Sequence, residues 1–223
     1  MAKSHLITFV LDESSSMMSR KAPTISGFNE WMAEMEKFPG EILFTMIKFN
    51  TDKHELIYKQ AMLGVDEIRL NDANYRPASS TPLYDAIGRA IRETEDALSK
   101  RTDSPSVTFV ILTDGEENSS VEWKLETIKQ LIEEKEKDGW TFTYMGVTQD
   151  AWQGGFNLGI SVGNTLNFAG DFVATSGGLS AHALATTQHL IRGGAASSNY
   201  YAGFNDADGM LVLPDEDDDE SES

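Results

Sequence analysis

Two short apolar runs in the chain each end at an acidic residue. Residues 6–11 (LITFVL) are followed by Asp12, and residues 107–112 (VTFVIL) are followed by Thr113 and Asp114. Runs this short and this apolar are typical of strands that are buried on both faces. Such strands occur in parallel sheets with helices on both sides, so the two runs restrict the chain to an α/β fold.

The remainder of the chain alternates between extended and helical patterns. Apolar residues at helical spacing predict helices over residues 24–37, 81–99, 121–137, 150–158 and 178–192. Further strands are predicted over residues 41–49, 54–62, 140–147 and 165–168. The turn at 50–53 is too short for a crossover, so the strands that flank it form an antiparallel hairpin. We therefore predict a three-layer, doubly wound, Rossmann-like fold with a mostly parallel sheet and one antiparallel edge strand.

Composition divides the chain into a domain and a tail. Residues 1–192 carry the predicted elements, whereas residues 193–223 are rich in Gly, Ala, Ser and Asn and end in an acidic run over 215–222. We predict a single domain over 1–192 and a flexible acidic extension over 193–223. The formal net charge of −18 argues against nucleic acid as a partner, because an acidic surface repels phosphate backbones.

Several classes of function are disfavoured by what the sequence lacks. It has no cysteine, which removes disulfides and thiolate chemistry. No apolar segment approaches the roughly 20 residues of a membrane span, and the N-terminus lacks the pattern of a secretory signal. We therefore expect a cytoplasmic protein without a membrane partner.

Oxygen-bearing side chains follow the predicted strands. Asp12 is followed by Ser14 and Ser16 in the pattern D-x-S-x-S, Asp114 follows the second apolar run, and Thr81 begins a predicted helix. Loops at the carboxyl ends of parallel strands converge on one edge of a sheet, so we expect these five side chains to lie together. Hard oxygen donors without Cys or His suit Mg²⁺, Mn²⁺ or Ca²⁺. The five residues therefore predict a divalent-metal site with one position left for water or an external ligand.

Each of these residues also has a purely structural interpretation. Ser14 and Ser16 are common in turns and at helix N-termini, and Thr81 before Pro82 is a good N-cap pair. Asp114 followed by glycine is a plausible turn by itself. The joint occurrence of all five at one predicted edge favours the metal site. Asp85, in the first turn of the predicted helix, is expected to complement the helix dipole instead.

Three motifs together resemble those of the von Willebrand factor type A domain. They are D-x-S-x-S at 12–16, T-x-L-x-D-A at 81–86 and T-D-G at 113–115, and the resemblance covers about residues 4–192. Stand-alone bacterial and phage members are the most similar, which implies a bacterial cell or a phage-infected host. One position departs from the family pattern: Ser15 stands where glycine is usual, and a positive φ there would strain a serine.

The resemblance implies the family's metal-ion-dependent adhesion site, with Mg²⁺ as the usual ion. Ser14, Ser16 and Thr81 would bind it directly, and Asp12 and Asp114 directly or through water. A protein partner would complete the coordination with an Asp or Glu side chain, which is binding chemistry and not enzymatic catalysis. The implied function is that of an adaptor or scaffold.

Three alternatives remain open from the sequence. A phosphatase or phosphotransferase of the haloacid-dehalogenase type also begins with an Asp at the end of its first strand, but its second acid would stand where Ser14 does. A metal could instead serve structure alone by tying the sheet edge together. For the acidic run at 215–222, transient covering of the metal is an alternative to a solubilising role.

Overall fold

One sheet forms the middle of the protein, in a computed structural model that describes residues 4–59, 68–147, 149–167 and 172–201. The strand order is β3-β2-β1-β4-β5-β6. All neighbouring strands pair parallel except β2 and β3, which form an antiparallel hairpin at the edge. The predicted sheet is confirmed. Its strands are β1 (His5–Asp12), β2 (Ile42–Asn50), β3 (Lys53–Lys59), β4 (Ser106–Thr113), β5 (Thr141–Gly146) and β6 (Thr165–Asn167).

Helices cover both faces of this sheet. The helix α1 packs against α5 on one face, and α2 contacts α3 on the other. Within the described residues, no helix combines the length and the apolar character that crossing a bilayer requires. The helices are α1 (Lys21–Met35), α2 (Leu83–Ser99), α3 (Leu125–Lys137), α4 (Gln149–Asn157) and α5 (Phe172–Ile191).

The continuous apolar run of β1 follows from this layered arrangement. Successive side chains of a strand point to opposite faces. Phe9 therefore packs into the apolar cluster under α1, whereas Val10 packs into the cluster under α2 and α3. Thr8 is also fully buried, and its hydroxyl forms a hydrogen bond of 3.0 Å with that of Thr94. Because both faces are covered, the strand needs no alternation of polar and apolar residues.

Two helices begin four or more residues away from the predicted start. Helix α3 begins at Leu125 and not at residue 121, because the amides of residues 121–123 bind the Asp85 carboxylate instead of entering a helix. Helix α5 begins at Phe172, six residues before the predicted start at 178. The prediction placed the start at a glycine pair of low helix propensity, which packing of α5 against α1 overrides. Residues 60–62 and 168 of two predicted strands lie outside the described residues.

Residues 194–201, which the sequence analysis assigned to the extension, pack on the domain. Tyr200 and Tyr201 are buried. The Tyr200 hydroxyl donates to Thr186 Oγ1 at 2.7 Å, and the Tyr201 hydroxyl lies 2.9 Å from Nδ1 of the buried His182. The extension's acidic run, and with it the predicted covering of the metal, lies outside the described residues. The domain boundary at residue 192 stays a prediction.

Candidate metal site

The loop after β1 presents its polar side chains at the carboxyl edge of the sheet. Asp12 is the last residue of β1, and its Oδ1 accepts a hydrogen bond of 2.7 Å from the amide of Ser14. This bond curls the chain back, so the hydroxyl oxygens of Ser14 and Ser16 lie 3.0 Å apart. The D-x-S-x-S spacing therefore places one carboxylate and two hydroxyls on one side of a single turn.

The loop after β4 meets this turn through two hydrogen bonds. The Thr113 hydroxyl donates to Asp12 Oδ2 at 2.5 Å, and the Ser16 hydroxyl donates to Asp114 Oδ1 at 2.6 Å. Asp12 and Asp114 thus belong to one hydrogen-bonded network, as expected for loops that follow adjacent parallel strands.

Thr81 is brought to the same place by the loop that follows Asp114. Its amide donates to Asn118 Oδ1 at 2.9 Å, and its carbonyl accepts from the Asn118 amide at 3.1 Å. A Cβ atom on Gly115 would stand 3.4 Å from both Ser16 Oγ and Thr81 Oγ1, and 3.9 Å from Asp12 Oδ2. Oxygen atoms from three separate segments therefore surround one small space, which glycine leaves open. The structure brings together all five residues that the sequence predicts.

Both carboxylates of the site lie in surroundings that disfavour their charged forms. Burial raises the pKa of Asp12 to about 6, although hydrogen bonds from Thr113 and Ser14 act in the opposite direction. Burial also raises the pKa of Asp114, against the effects of Ser16 and of Arg20, whose Nη1 lies 3.9 Å from Asp114 Oδ2. A divalent cation between these acids would remove the penalty, because it favours their charged forms.

The donor set fits a hard cation. It consists of two carboxylates and three hydroxyls, the oxygen ligands that Mg²⁺ and Mn²⁺ accept. Among the residues that the structure describes, His, Cys, Asp and Glu form no group of three that could hold a metal, so a zinc-type site is absent from these parts of the chain. Hydroxyl donors are therefore indispensable to a metal site at this edge.

The capping interpretation does not describe what Thr81 does. Helix α2 begins at Leu83 with Pro82 as its N-cap, and no side chain of the cap residue bonds the helix. Its first amides are capped from the loop after β4, by Glu117 and Ser120. Asp85 lies in the first turn of α2, as expected, and its carboxylate also accepts three amide hydrogen bonds from residues 121–123.

The departure at Ser15 carries no strain. In the described parts of the chain, Ser79 is the only residue other than glycine with a positive φ, at 62°. Ser15 begins a short 3-10 helix (Ser15–Arg20), and both its amide and its hydroxyl donate to the carbonyl of Ser79, at 3.0 and 2.7 Å. A serine here therefore adds a hydrogen bond that glycine cannot form.

Sequence reasoning missed the residues beneath the site. Glu13 is fully buried, and its carboxylate accepts a hydrogen bond from the Arg76 amide and lies 3.8 Å from Nζ of the buried Lys48. The Tyr75 hydroxyl donates to the carbonyl of Asp12 at 2.7 Å. One signal was available, because Lys48 is the only charged residue within the apolar strand β2. Nothing in the sequence pointed to its partner.

Comparisons with known proteins agree with this architecture. The family model of the von Willebrand factor type A domain matches residues 7–168. Among solved structures, the pilus adhesin SpaC from Lactobacillus rhamnosus GG in its open conformation has a TM-score of 0.64 at 13% identity, over 84% of this chain and 30% of that one. Proximal thread matrix protein 1 from the mussel byssus has a TM-score of 0.58 at 18% identity, over 80% of this chain and 45% of that one.

A third similar structure contains a metal. Manganese-loaded TRAP protein from Plasmodium vivax has a TM-score of 0.57 at 10% identity, over 79% of this chain and 72% of that one. Identities this low show the fold alone. The chain spans less than half the length of SpaC and of the mussel protein. No curated protein sequence matches it.

Proposed function

Since the chain belongs to the von Willebrand factor type A domain family, we propose that it is a divalent-metal-dependent protein-interaction module and not an enzyme. The proposed ion is Mg²⁺, with Mn²⁺ or Ca²⁺ as alternatives. When bound, the ion would supply a coordination position that an Asp or Glu of a partner protein fills. The proposed ligands are Asp12, Ser14, Ser16, Thr81 and Asp114.

One observation carries this proposal: Asp12 is a fully buried acid that forms no ion pair with any described residue. Its carboxylate receives hydrogen bonds from a hydroxyl and an amide. Buried charges in proteins are either paired or bound to metal ions. A buried acid without a basic partner, surrounded by further oxygen donors, is the arrangement that a cation would complete.

The charges of the other ligands explain why a carboxylate partner is favoured. Ser14, Ser16 and Thr81 are neutral donors, so the site contributes at most two negative charges. Where Asp12 or Asp114 reaches the ion only through water, the positive charge of the ion is incompletely neutralised. An incoming Asp or Glu then gains strongly from the remaining positive charge.

The phosphatase alternative gains no support from the contacts of the site. Such an enzyme needs a second acid two residues after its nucleophile, and Ser14 occupies that position with its hydroxyl beside that of Ser16. The cytoplasmic location and the bacterial or phage source stay predictions from the sequence.

Selection from a random peptide library tests the proposed function. The full chain is immobilised and offered the library in Mg²⁺ or in EDTA. We expect peptides that bind only in Mg²⁺, each with an Asp or Glu whose change to Asn or Gln abolishes binding. The Asp12→Ala variant should select none, whereas Asp96→Asn, which changes an exposed acid on α2, should behave as wild type.

Two results would contradict the proposal. Metal binding without any Mg²⁺-dependent peptide would indicate that the ion has a structural role only. Mg²⁺-dependent hydrolysis of a generic aryl phosphate, lost in Asp12→Ala, would favour the phosphatase.

A further inference from the structure

A cavity of about 180 Å³ opens beside the candidate metal site. It lies between the start of α2, the loop after β4 and the helix α4. Cavities that bind drug-sized molecules are larger, about 300–1,000 Å³, so this one has room for a single side chain. The residues that matter for its chemistry are Tyr84, Gly115, Glu116, Tyr144, Gln153 and Asn157.

Gly115 joins the cavity to the metal site. It lines the cavity, and a Cβ atom on it would stand 3.4 Å from the hydroxyl oxygens of Ser16 and Thr81. A partner whose carboxylate reaches the ion therefore passes directly beside the cavity. A neighbouring side chain of that partner is within reach of it.

Tyr144 is one of the residues that line the cavity. Tyr144 lies on β5 with no exposed surface, and within the described residues its hydroxyl forms no hydrogen bond. A Cβ atom on Gly154 would clash with this hydroxyl, so the glycine of α4 makes room for the end of the Tyr144 side chain. Leaving a buried hydroxyl unsatisfied is costly, so a group that forms a hydrogen bond with it gains free energy.

The described residues that line the cavity include two acids, Glu116 and Glu117, and no base. The Glu117 carboxylate already accepts hydrogen bonds from the amides of Tyr84, Ser119 and Ser120. Glu116 is exposed and, within the described parts of the chain, forms no hydrogen bond and no ion pair. Burial raises the pKa of Tyr144, and the nearby Glu116 adds to this effect. A cationic group would be attracted there.

We propose that this cavity binds the Lys or Arg side chain of a partner protein, beside the Asp or Glu that completes the metal. The ammonium or guanidinium group would pair with the Glu116 carboxylate and donate a hydrogen bond to the Tyr144 hydroxyl. The inference rests on the proposed function, which it deepens: the module recognises a pair of opposite charges and not a lone acid.

Synthetic peptides with a fixed Glu test this inference. Each peptide carries one Lys at a position within three residues of the Glu, and a matched peptide carries norleucine in place of the Lys. In Mg²⁺, we expect at least one Lys peptide to bind the full chain about tenfold more tightly than its norleucine match, as for a charge-assisted hydrogen bond. This preference should disappear in Glu116→Gln and weaken in Tyr144→Phe.

Glu133→Gln is the matched control, because it removes the same charge from an exposed position on α3. It should keep the preference, and every variant should bind Mn²⁺ as wild type does. If Glu peptides bind in Mg²⁺ with no preference for Lys, or if Glu116→Gln keeps the preference, the inference is wrong and the proposed function stands. If no Glu peptide binds in Mg²⁺, both are wrong.

Discussion

Asp12 and Glu13 are consecutive, fully buried acids whose surroundings differ in kind. Glu13 points to the underside of the loop, where it lies near Lys48 and accepts the amide of Arg76. Asp12 points to the upper side, where hydroxyls and amides surround it and no described residue pairs with it as a cation. One of the two buried acids thus has a nearby base among the described residues, and the other has none.

The ion pair of Glu13 and Lys48 also helps to position the candidate metal site. Lys48 donates to the carbonyl of Asn74, and the carbonyl of Glu13 accepts from the amide of Ala78 at 2.9 Å. These bonds hold the segment over residues 74–80 against β1 and β2. That segment leads directly to Thr81, so the ion pair beneath the loop fixes one of the proposed ligands.

The largest effect on stability is expected from Lys48→Met, which removes the cation that lies next to Glu13. Removing one member of a buried pair costs about 3–5 kcal/mol, because the remaining charge stays buried. Urea unfolding in EDTA measures the change. The double variant Glu13→Gln/Lys48→Met should recover most of the loss. If Lys48→Met loses less than about 1 kcal/mol, Lys48 does not balance the charge of Glu13, and the contrast with Asp12 fails.

In the metal-free protein, Asp12→Asn should increase the free energy of unfolding, whereas Lys48→Met lowers it. The change removes a buried charge while the amide oxygen can still accept from Ser14, so stability at pH 7.5 should rise by an amount on the order of 1–3 kcal/mol. The same urea unfolding in EDTA gives this value. A loss of stability in Asp12→Asn would contradict the comparison of the two acids.

The pH dependence of stability sharpens the comparison. The pKa of Asp12 is about 6 in the folded protein and 3.8 as its ordinary value. Between these values the folded state keeps a proton that the unfolded chain has released, so metal-free stability falls as the pH rises from about 4 to about 6. The advantage of Asp12→Asn over wild type should therefore grow across this window and be small at pH 4. If the difference in thermal stability between Asp12→Asn and wild type stays constant from pH 4 to pH 6, the raised pKa of Asp12 is refuted.

Ser15→Gly should have the smallest effect. The glycine loses the hydrogen bond to Ser79 and gains freedom in the unfolded chain, so a loss of roughly 0.5–1.5 kcal/mol is expected. Mn²⁺ affinity should change little, because the Ser15 hydroxyl points to the 74–80 side and not to the ligands. A gain in stability would mean that serine is strained at this position after all.

What could be predicted from the sequence depended on the range of the interactions involved. The strands β1 and β4 and the convergence of Asp12 and Asp114 followed from apolar runs and a general property of parallel sheets. The start of α3 could not be predicted, because it depends on Asp85 from a helix far away in the chain. The Glu13–Lys48 pair was equally hidden, since it forms only once β1 and β2 are adjacent.

The segment after residue 192 illustrates the same limit. Its small and polar residues have no periodicity that would predict a packed structure. Tyr200 and Tyr201 are nevertheless buried, because α5 offers His182 and Thr186 as hydrogen-bond partners. Pairs of this kind are decided by tertiary contacts that local patterns do not contain.

Titration calorimetry of the metal-free full chain with Mn²⁺ tests the central claim most directly. The wild type and the control Asp96→Asn should each bind one ion, and Asp12→Asn should bind it about tenfold more weakly or not at all. Thermal unfolding in EDTA confirms that all three proteins are folded. Equal Mn²⁺ affinity in wild type and Asp12→Asn, or no binding by the wild type, would contradict the account.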